Sequence, residues 1–390
     1  MSIPDRIAGL HPEITAWRRD LHAHPELLFD VHRTAAIVAD KLKAFGCDEV
    51  VTGIGRTGVV GVIRGRKQGA TGDRVIGLRA DMDALPIAEQ TNLPYRSTVP
   101  GQMHACGHDG HTSMLLGAAK YLAETRDFGG TAVVIFQPAE EGGGGGREMV
   151  KDGVMERFGI QEVYGMHNAP GLPVGAFAIR PGAMLAASDR IIIDIEGHGG
   201  HAAKPHKCVD TILVGAQIIN QIQSIVARNV DPIDAAVVSI CVFQAGDTSN
   251  VIPQTAYLRG TARSLTPAVR DRLEQRLHEI VEGTARLYGA SAKLTYHRDY
   301  PVMRNHEHQT AFAVSIAAQI VGRERVDAAA APVMGGEDFS FMLEARPGAF
   351  IFVGNGDSAG LHNPAYNFND EAILYGTSYW IRLVETQLAA

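Results

Sequence analysis

Four segments rich in cysteine, histidine and glutamate constrain the fold of this chain more than any other feature, because each follows a short apolar run. They cover residues 104–111, 140–141, 166–168 and 361–364. Open α/β sheets bind ligands beyond the carboxyl ends of their strands, so these segments are expected to meet at one sheet edge. Thiolate, imidazole and carboxylate together suit a divalent transition metal better than Mg²⁺ or Ca²⁺. We interpret the pattern as a metal centre; the alternative is a buried structural Cys106 beside surface histidines.

Composition limits the class of protein. The chain has 390 residues, enough for two domains that each bury a core. Hydrophobic residues make up 45% and charged residues 20%, a globular balance that argues against disorder. With 36 basic and 43 acidic residues, the net charge of −7 gives no electrostatic case for nucleic acid or an anionic membrane as a partner. The four cysteines are too scattered for a disulfide framework, and the sequence shows no signal peptide or bilayer-spanning run, so we expect a cytoplasmic location.

Helical and apolar extended stretches alternate in the first part of the chain. This alternation is typical of an α/β domain with a mixed central sheet flanked by helices. The predicted helices cover residues 7–45 and 112–123, and the predicted strands cover 59–63, 74–78, 132–136 and 163–166. The metal candidates are then expected on loops at the strand ends.

The pattern changes near residue 187. The segments that follow have the order strand, helix, strand, strand, helix, strand, which is typical of a ferredoxin-like α+β domain. They cover 190–196, 210–228, 236–244, 254–261, 267–287 and 292–297, with Thr266 as N-cap and Pro267 at the first position of the second helix. After residue 297, segments with glutamate, aspartate and histidine like those of the predicted metal centre return at 335–338 and 361–364. Residues 187–297 are therefore predicted to be an insertion in a domain formed by 1–186 and 298–390.

Two pairs of carboxylates stand behind predicted strands. Asp81 and Asp83 belong either to a solvated turn or to a site in which they orient a ligating imidazole, and we favour the site. Glu140 and Glu141 repel each other, so burying the pair requires either a nearby cation or the protonation of one of them, and a metal ion would supply the cation. One glutamate is then expected to bind the metal while the other transfers protons. The alternative, two surface glutamates before a glycine-rich loop, is weakened by the apolar strand that precedes them.

A second histidine cluster, at residues 197–206, lies in the predicted insertion. It lacks cysteine or carboxylate partners for a metal, so a histidine that polarises a substrate is the better interpretation. Asn250 and Arg263 also lie in the insertion. Their side chains can bind a carbonyl and a carboxylate of a substrate, respectively, although each of these residue types alone is more often structural.

In their order along the chain, these motifs resemble the dinuclear metallo-amidohydrolases of the aminoacylase/carboxypeptidase family. Within that family the chain is most similar to the branch of hippurate hydrolase and the auxin-conjugate (IAA-amino acid) hydrolases. The resemblance covers essentially the whole chain. It rests on the motifs at 104–111, 140–142, 166–168, 200–203, 335–338 and 361–363.

The resemblance implies an active site with two divalent ions per subunit, Mn²⁺, Zn²⁺, Co²⁺ or Ni²⁺. The implied metal ligands are Cys106, His108, Glu141, His167 and His362. It also implies Glu140 as general base, substrate contacts at Gly335 and Glu337, and an inserted lid that dimerises and lends His201 to the neighbouring subunit. Where the wider family has a His-x-Asp motif, this chain has Asp81-Met82-Asp83, so Asp81 replaces a metal ligand.

The expected activity is hydrolysis of N-benzoyl, N-acetyl or other N-acyl amino acids to a carboxylate and a free amino acid. The expected partners are this small substrate and a second copy of the chain in a homodimer, or a tetramer built from it. One alternative is a metallo-exopeptidase, a carboxypeptidase or dipeptidase that acts on small peptides. Another is a metal-storing or metal-sensing module, which would need the ligands but not Glu140.

Overall fold

The computed structural model describes residues 5–69 and 71–389. Residues 1–4, on which the expectation about a signal peptide depends, lie outside these ranges. The described part of the chain divides into two compact units. The first unit comprises Met1–Gly182, Arg304–Ala331 and Asp338–Ala390, and the second comprises Ala183–Met303 and Pro332–Glu337. The second unit thus includes residues 332–337, which we had expected in the first domain. This segment is tied to the second unit by hydrogen bonds such as that from the Ala186 N–H to the Gly335 carbonyl, at 2.9 Å.

The helices and strands are numbered here in chain order. The strands are β1 (Glu49–Ile54), β2 (Gly58–Arg64), β3 (Val75–Asp81), β4 (Thr131–Gln137), β5 (Glu162–Pro170), β6 (Phe177–Ala178), β7 (Gly182–Leu185), β8 (Ala187–Glu196), β9 (Gly200–His201), β10 (Ala236–Gln244), β11 (Val251–Ile252), β12 (Thr255–Ser264), β13 (Ser291–Tyr300), β14 (Met303–Asn305), β15 (Val326–Asp327) and β16 (Gly348–Gly356). The α-helices are α1 (Asp5–Ala23), α2 (His32–Ala44), α3 (His108–Thr125), α4 (Gly145–Lys151), α5 (Val154–Arg157), α6 (Thr211–Asn229), α7 (Pro267–Leu287), α8 (Glu307–Val321), α9 (Ser340–Ala345) and α10 (Ala372–Gln387).

A mixed sheet forms the centre of the first unit. Within the described residues it has eight strands in the order β1-β2-β4-β3-β5-β16-β6-β15. β3 pairs in parallel with β4 and β5, and β5 in parallel with β16, whereas β2 is antiparallel to both β1 and β4. β3 and β4 are buried almost throughout, as expected of strands covered on both faces. The predicted α/β domain with a mixed central sheet is confirmed.

The N-terminal helix is not continuous, so the prediction of one helix over residues 7–45 was wrong. α1 ends at Ala23 and α2 begins at His32. Pro25 disfavours the helical conformation for the residue before it and has no N–H to donate. Leu28, between the helices, has a φ of 50°, which no α-helix accommodates.

Two candidate ligands lie on regular elements, where loops had been expected. α3 begins at His108 rather than at residue 112, directly after Gly107, whose φ of 90° places it in the left-handed region. β5 continues to Pro170 because it pairs with β16 over that length, so His167 lies within the strand rather than behind it.

The second unit has the predicted order of strands and helices. Its main sheet has the order β10-β12-β8-β13 and is antiparallel throughout. α6 and α7 cover the face that carries alternate residues of β8, including Ile191 and Ile193. α7 begins at Pro267 with the Thr266 side chain accepting the Val269 N–H, as predicted. β9 and β11 form a separate two-stranded ribbon, the β9–β11 ribbon.

No helix within the described residues combines the length and the apolar character that crossing a bilayer would require.

Candidate metal centre

The carboxyl ends of three neighbouring strands bring the candidate ligands of the first unit together. β3 ends at Asp81, β4 ends shortly before Glu140 and Glu141, and β5 carries His167 near its end. These strands lie side by side and run in parallel. Their ends therefore meet at one edge of the sheet, where α/β folds place their ligands.

All five predicted metal ligands meet at this edge. Donor atoms of Cys106, His108 and His167 lie within 4.8 Å of one another, and so do those of Cys106, Glu141 and His362. The Cys106 Sγ is 3.3 Å from the His167 Nε2, and the His362 Nε2 is 3.3 Å from the Glu141 Oε1. The two groups share Cys106, an arrangement that suits two neighbouring ions.

The donor set fits divalent metal ions, because two of its buried atoms have no hydrogen bond within the described part of the chain and several of its groups are acidic. The His108 Nε2 and the Glu141 Oε1 are buried and make no hydrogen bond of normal geometry to any described residue. Burial and the charge of Glu141 raise the pKa of the Cys106 thiol well above its ordinary value. Burial alone would lower the pKa of His108, but the nearby Asp81 raises it to about 10. This concentration of buried acidic groups favours a nearby cation, which metal ions bound by these residues would supply.

The ring of His167 is oriented for metal binding by its own strand. Its Nδ1 lies 2.7 Å from the Asn168 carbonyl oxygen, which can only accept, so Nδ1 carries the proton. The Nε2 then carries the lone pair that neutral imidazole ligands need, and it faces the Cys106 Sγ. Burial keeps the ring neutral by lowering the pKa of His167 well below its ordinary value.

Two residues at the centre have left-handed backbone conformations without being glycine. His362 has a φ of 62°, and its N–H donates to the Ala105 carbonyl at 2.8 Å, which ties its loop to the Cys106 segment. Ala139, directly before Glu140, has a φ of 54°. Such strained positions concentrate at functional sites, where the surrounding structure holds them. Both are consistent with a site whose backbone is shaped for binding.

Asp83 holds the turn that carries the two glutamates. Its Oδ1 accepts the Glu140 N–H at 2.9 Å and its Oδ2 accepts the Glu141 N–H at 3.1 Å. The same carboxylate lies 3.5 Å from the His108 Nδ1. One buried carboxylate therefore orients the candidate base and two candidate ligands.

Arg79, His111 and Asn168 are residues of the centre to which sequence reasoning gave no role. Arg79 is fully buried in β3 and donates to the Asp81 Oδ2 at 2.8 Å. The His111 Nδ1 lies 2.6 Å from the other oxygen of Asp81, and the His111 Nε2 accepts the Asn168 N–H at 2.9 Å. An arginine directly after the apolar run 75–78 is the signal that could have been used, because a buried guanidinium requires anionic partners.

The second unit brings the predicted catalytic histidine and one predicted substrate-binding residue together. His201 lies on the β9–β11 ribbon, opposite Val251, and its side chain is exposed. The Ala202 N–H donates to the Asn250 carbonyl at 3.0 Å, which places Asn250 beside His201. The His201 Nδ1 accepts the Ala203 N–H at 3.1 Å, so the proton of the neutral ring lies on Nε2.

Arg263 is not near this pair within the second unit. β11 leads through two residues into the Thr255 end of β12, and Arg263 lies eight residues further along that strand. At about 3.3 Å per residue, this separation is roughly 26 Å. The guanidinium hydrogen-bonds groups of its own strand, including the Ala262 carbonyl at 3.0 Å. Gly335 and Glu337 lie in the segment 332–337, which belongs to the second unit by its contacts.

Comparison with known proteins shows that the sequence and the fold of this chain are similar to those of metal-dependent peptidases and amidohydrolases. The sequence profile of peptidase family M20/M25/M40 matches residues 77–386. Hippurate hydrolase of Campylobacter jejuni is 43% identical over 383 residues, which cover 98% of each chain. N-acetylcysteine deacetylase of Bacillus subtilis is 39% identical over 96% of this chain and 97% of the relative. The crystal structure of the Bacillus subtilis YXEP protein, a dinuclear metal-binding peptidase of the M20 family, aligns with a TM-score of 0.83 and 36% identity over 98% of this chain and 99% of that chain.

Proposed function

The chain belongs to peptidase family M20/M25/M40 and is a metal-dependent hydrolase of amide bonds, and from this premise we propose that its substrates are N-acyl amino acids. The products are a carboxylate and a free amino acid. The observation that carries the proposal is the five-donor centre with the additional carboxylate of Glu140 beside it. The full-length similarity to relatives named for hippurate and N-acetylcysteine, both N-acyl amino acids, supports this substrate class.

Two divalent ions are the proposed cofactor of each subunit. The residues that would hold them are Cys106, His108, Glu141, His167 and His362. Mn²⁺, Zn²⁺, Co²⁺ and Ni²⁺ all suit a donor set of thiolate, imidazole and carboxylate. Such ions, when bound, lower the pKa of water and polarise a carbonyl group. All four cysteines are free of disulfides, which supports a reducing, cytoplasmic compartment.

Glu140 is the proposed general base. Its side chain is buried, and a carboxylate oxygen lies within 4.8 Å of donor atoms of His108 and Glu141. It accepts a proton from the attacking water as the new C–O bond forms. It then delivers that proton to the amide nitrogen as the C–N bond breaks, so the hydroxyl remains on the acyl carbon and the nitrogen leaves as a neutral NH₂ group.

His201 is the proposed donor to the oxyanion that develops on the scissile carbonyl. Its proton lies on Nε2 because the Ala203 N–H occupies Nδ1, so the neutral ring donates without first changing tautomer. Such a donor contributes about 3 kcal/mol to transition-state stabilisation. We propose that it acts in the site of the neighbouring subunit, since its side chain is exposed on a ribbon of the second unit.

The substrate carboxylate is assigned to Asn250 or Arg263. A strand separation of roughly 26 Å is far longer than an N-acyl amino acid, so one substrate molecule does not reach both residues within one chain. Simultaneous use of both therefore requires that they come from different subunits, in agreement with His201 acting across a dimer.

The proposed dimer contact is the α6–β10 surface, formed by Ile212, Ile219 and Val226 on α6 together with β10. The three α6 residues are spaced by seven and share one side of the helix, where Ile212 and Val226 are exposed. β10 is an edge strand of the four-stranded sheet as described, and its sequence carries no charge.

The opposite edge strand, β13, is protected differently. It carries Lys293, His297, Arg298 and Asp299, and charges of this kind discourage pairing between sheet edges. An uncharged edge beside an exposed apolar helix stripe favours pairing of β10 with its symmetry mate in an isologous dimer. Val226→Asp should then dissociate the dimer in sedimentation velocity, whereas Leu287→Asp, at an exposed apolar position of α7, should not.

A substrate panel tests the proposed function. The purified chain, loaded with Mn²⁺, Zn²⁺ or Co²⁺, is assayed against N-benzoyl, N-acetyl and indolyl-acyl amino acids and against matched dipeptides. The proposal expects higher kcat/KM on at least one N-acyl series than on the dipeptides, and loss of activity with a chelator. Preference for the dipeptides would identify a metallo-exopeptidase. Absence of turnover in every metal form would favour a metal-storing or metal-sensing module.

A further inference from the structure

Asn168 forms hydrogen bonds to two candidate metal ligands, to the backbone of Cys106 and to the ring of His167. It is fully buried, and its side-chain Nδ2 donates to the Cys106 carbonyl at 2.6 Å. Its own carbonyl accepts the His167 Nδ1–H at 2.7 Å, and its Oδ1 accepts the Tyr366 hydroxyl at 2.8 Å. A small displacement of Asn168 would therefore move both the thiol and the imidazole of the centre.

His111 fixes Asn168 from the other side. A backbone N–H only donates, so the His111 Nε2, which accepts the Asn168 N–H at 2.9 Å, must carry a lone pair. The proton of the neutral ring then lies on Nδ1 and is donated to the Asp81 Oδ1 at 2.6 Å. Both ring nitrogens are thus occupied, and His111 has no lone pair for a metal ion, although it lies beside the ligands.

Arg79 fixes Asp81 in turn. Its guanidinium donates to the Asp81 Oδ2 at 2.8 Å, to the Gln137 Oε1 at 2.9 Å and to the Asp338 Oδ1 at 2.9 Å. An arginine remains charged even when it is buried, and its planar fork sets the direction of each bond. Both carboxylate oxygens of Asp81 therefore accept hydrogen bonds, one from Arg79 and the other from His111.

We propose that Arg79, Asp81, His111 and Asn168 form a positioning chain that sets the Cys106 and His167 ligands in register for metal binding. The four are positioning residues and not metal ligands. The inference rests on the metal centre proposed above, and it gives Asp81 a use other than the ligand role of the residue it replaces in the wider family. Residues that orient metal ligands typically change metal affinity by about 10- to 100-fold when they are lost.

Metal affinity, rather than activity, tests this positioning chain. The stoichiometry and affinity of Co²⁺ are measured by titration with a competing chelator for the wild-type chain, His111→Ala and His111→Gln. The absorption of the Co²⁺–thiolate bond reports directly on Cys106. Glutamine reaches the position of Nε2 with an acceptor oxygen, so it keeps the bond to the Asn168 N–H and loses the bond to Asp81.

Leu115→Ala is the matched control. Leu115 lies one turn further along α3 and is fully buried, so the variant weakens the same helix and removes none of the hydrogen bonds of the positioning chain. It should bind Co²⁺ as the wild-type chain does.

The proposal expects His111→Ala to bind both ions about 10- to 100-fold more weakly, with an altered Co²⁺–thiolate absorption. His111→Gln should lie between it and the wild-type chain. Unchanged affinity in His111→Ala would overturn the proposal, as would equal weakening in Leu115→Ala. Loss of one whole equivalent of Co²⁺ would also overturn it, because His111 would then be a ligand. A wild-type chain that bound no Co²⁺ would instead refute the metal centre itself.

Discussion

Replacing Asp83 by asparagine tests how the turn that carries Glu140 and Glu141 is held. Asp83 is buried and uses one oxygen for each of the two backbone N–H groups, at 2.9 and 3.1 Å. Asparagine has the same shape but offers only one acceptor oxygen. Its amide nitrogen therefore faces an N–H group, and that donor is left buried without a partner.

The expected loss follows from these contacts. A hydrogen bond to a charged group contributes roughly 1.5–3 kcal/mol, and an unsatisfied buried donor costs a similar amount. Burial raises the pKa of Asp83, so the cost of desolvating its carboxylate offsets part of this gain. We expect Asp83→Asn to lower the free energy of unfolding by about 2 kcal/mol. Because His108 and Glu141 lose their orientation, metal affinity should fall about 10- to 100-fold.

Urea unfolding of the metal-free chain and chelator-competition titration measure these two effects separately. Asp152→Asn is the control, because the Asp152 carboxylate accepts one backbone N–H, that of Gly55 at 2.7 Å, and belongs to none of the candidate ligand groups. It should lower stability less than Asp83→Asn does, because one amide oxygen is enough to accept the single Gly55 N–H, and it should leave metal affinity unchanged. If Asp83→Asn loses stability but binds metal as tightly as the wild-type chain, Asp83 supports the fold only, and our account of the turn is refuted.

Three further predictions concern the ligands, the dimer and one glycine. A metal ion would protect the Cys106 thiolate from alkylation, so during prolonged labelling chelated chain should react with a thiol reagent at one more site than metal-loaded chain, although burial makes that reaction slow; equal labelling of Cys106 in both forms would make it a structural cysteine. Mixing inactive His201→Ala and Glu140→Gln chains should restore activity through a mixed dimer with one intact site; no recovery after verified subunit exchange would place His201 in its own chain's site or outside catalysis. Gly107→Ala should abolish metal binding, because the added Cβ would lie 2.3 Å from the Asn168 Nδ2 at a backbone φ of 90°; a variant that binds both ions would show that this loop adapts.

Elements set by local signals could be predicted from the sequence. The bounds of α7 follow from its helical period, from Thr266 as N-cap and from Pro267 at its first position, and the structure has the same bounds. The candidate ligands were also recognisable, because cysteine, histidine and glutamate behind apolar runs point to metal chemistry. The break between α1 and α2 was missed because the helical spacing of apolar residues over 7–45 was given more weight than the helix-breaking Pro25.

Contacts between distant parts of the chain could not be predicted. Arg79 meets Asp338 across 259 positions, and the His111–Asp81 pair spans 30 positions. No local period or motif connects such residues, since the sheet order alone brings them together. For the same reason, His201 was recognised as a candidate catalytic residue and Arg263 as a candidate substrate-binding residue, whereas their distance along the second unit became visible only in the structure.

Glu140→Gln tests the central claim most directly, because it separates the base from the ligands. Glutamine keeps the size of the side chain and the backbone N–H bond to Asp83, but it cannot accept the proton of the attacking water. The variant should bind two equivalents of Co²⁺ with wild-type affinity, while its kcat on an N-benzoyl amino acid falls by about 10²- to 10⁴-fold. Loss of an ion would make Glu140 a ligand. An unchanged kcat with both ions bound would contradict proton transfer by Glu140 and, with it, the mechanism proposed for this centre.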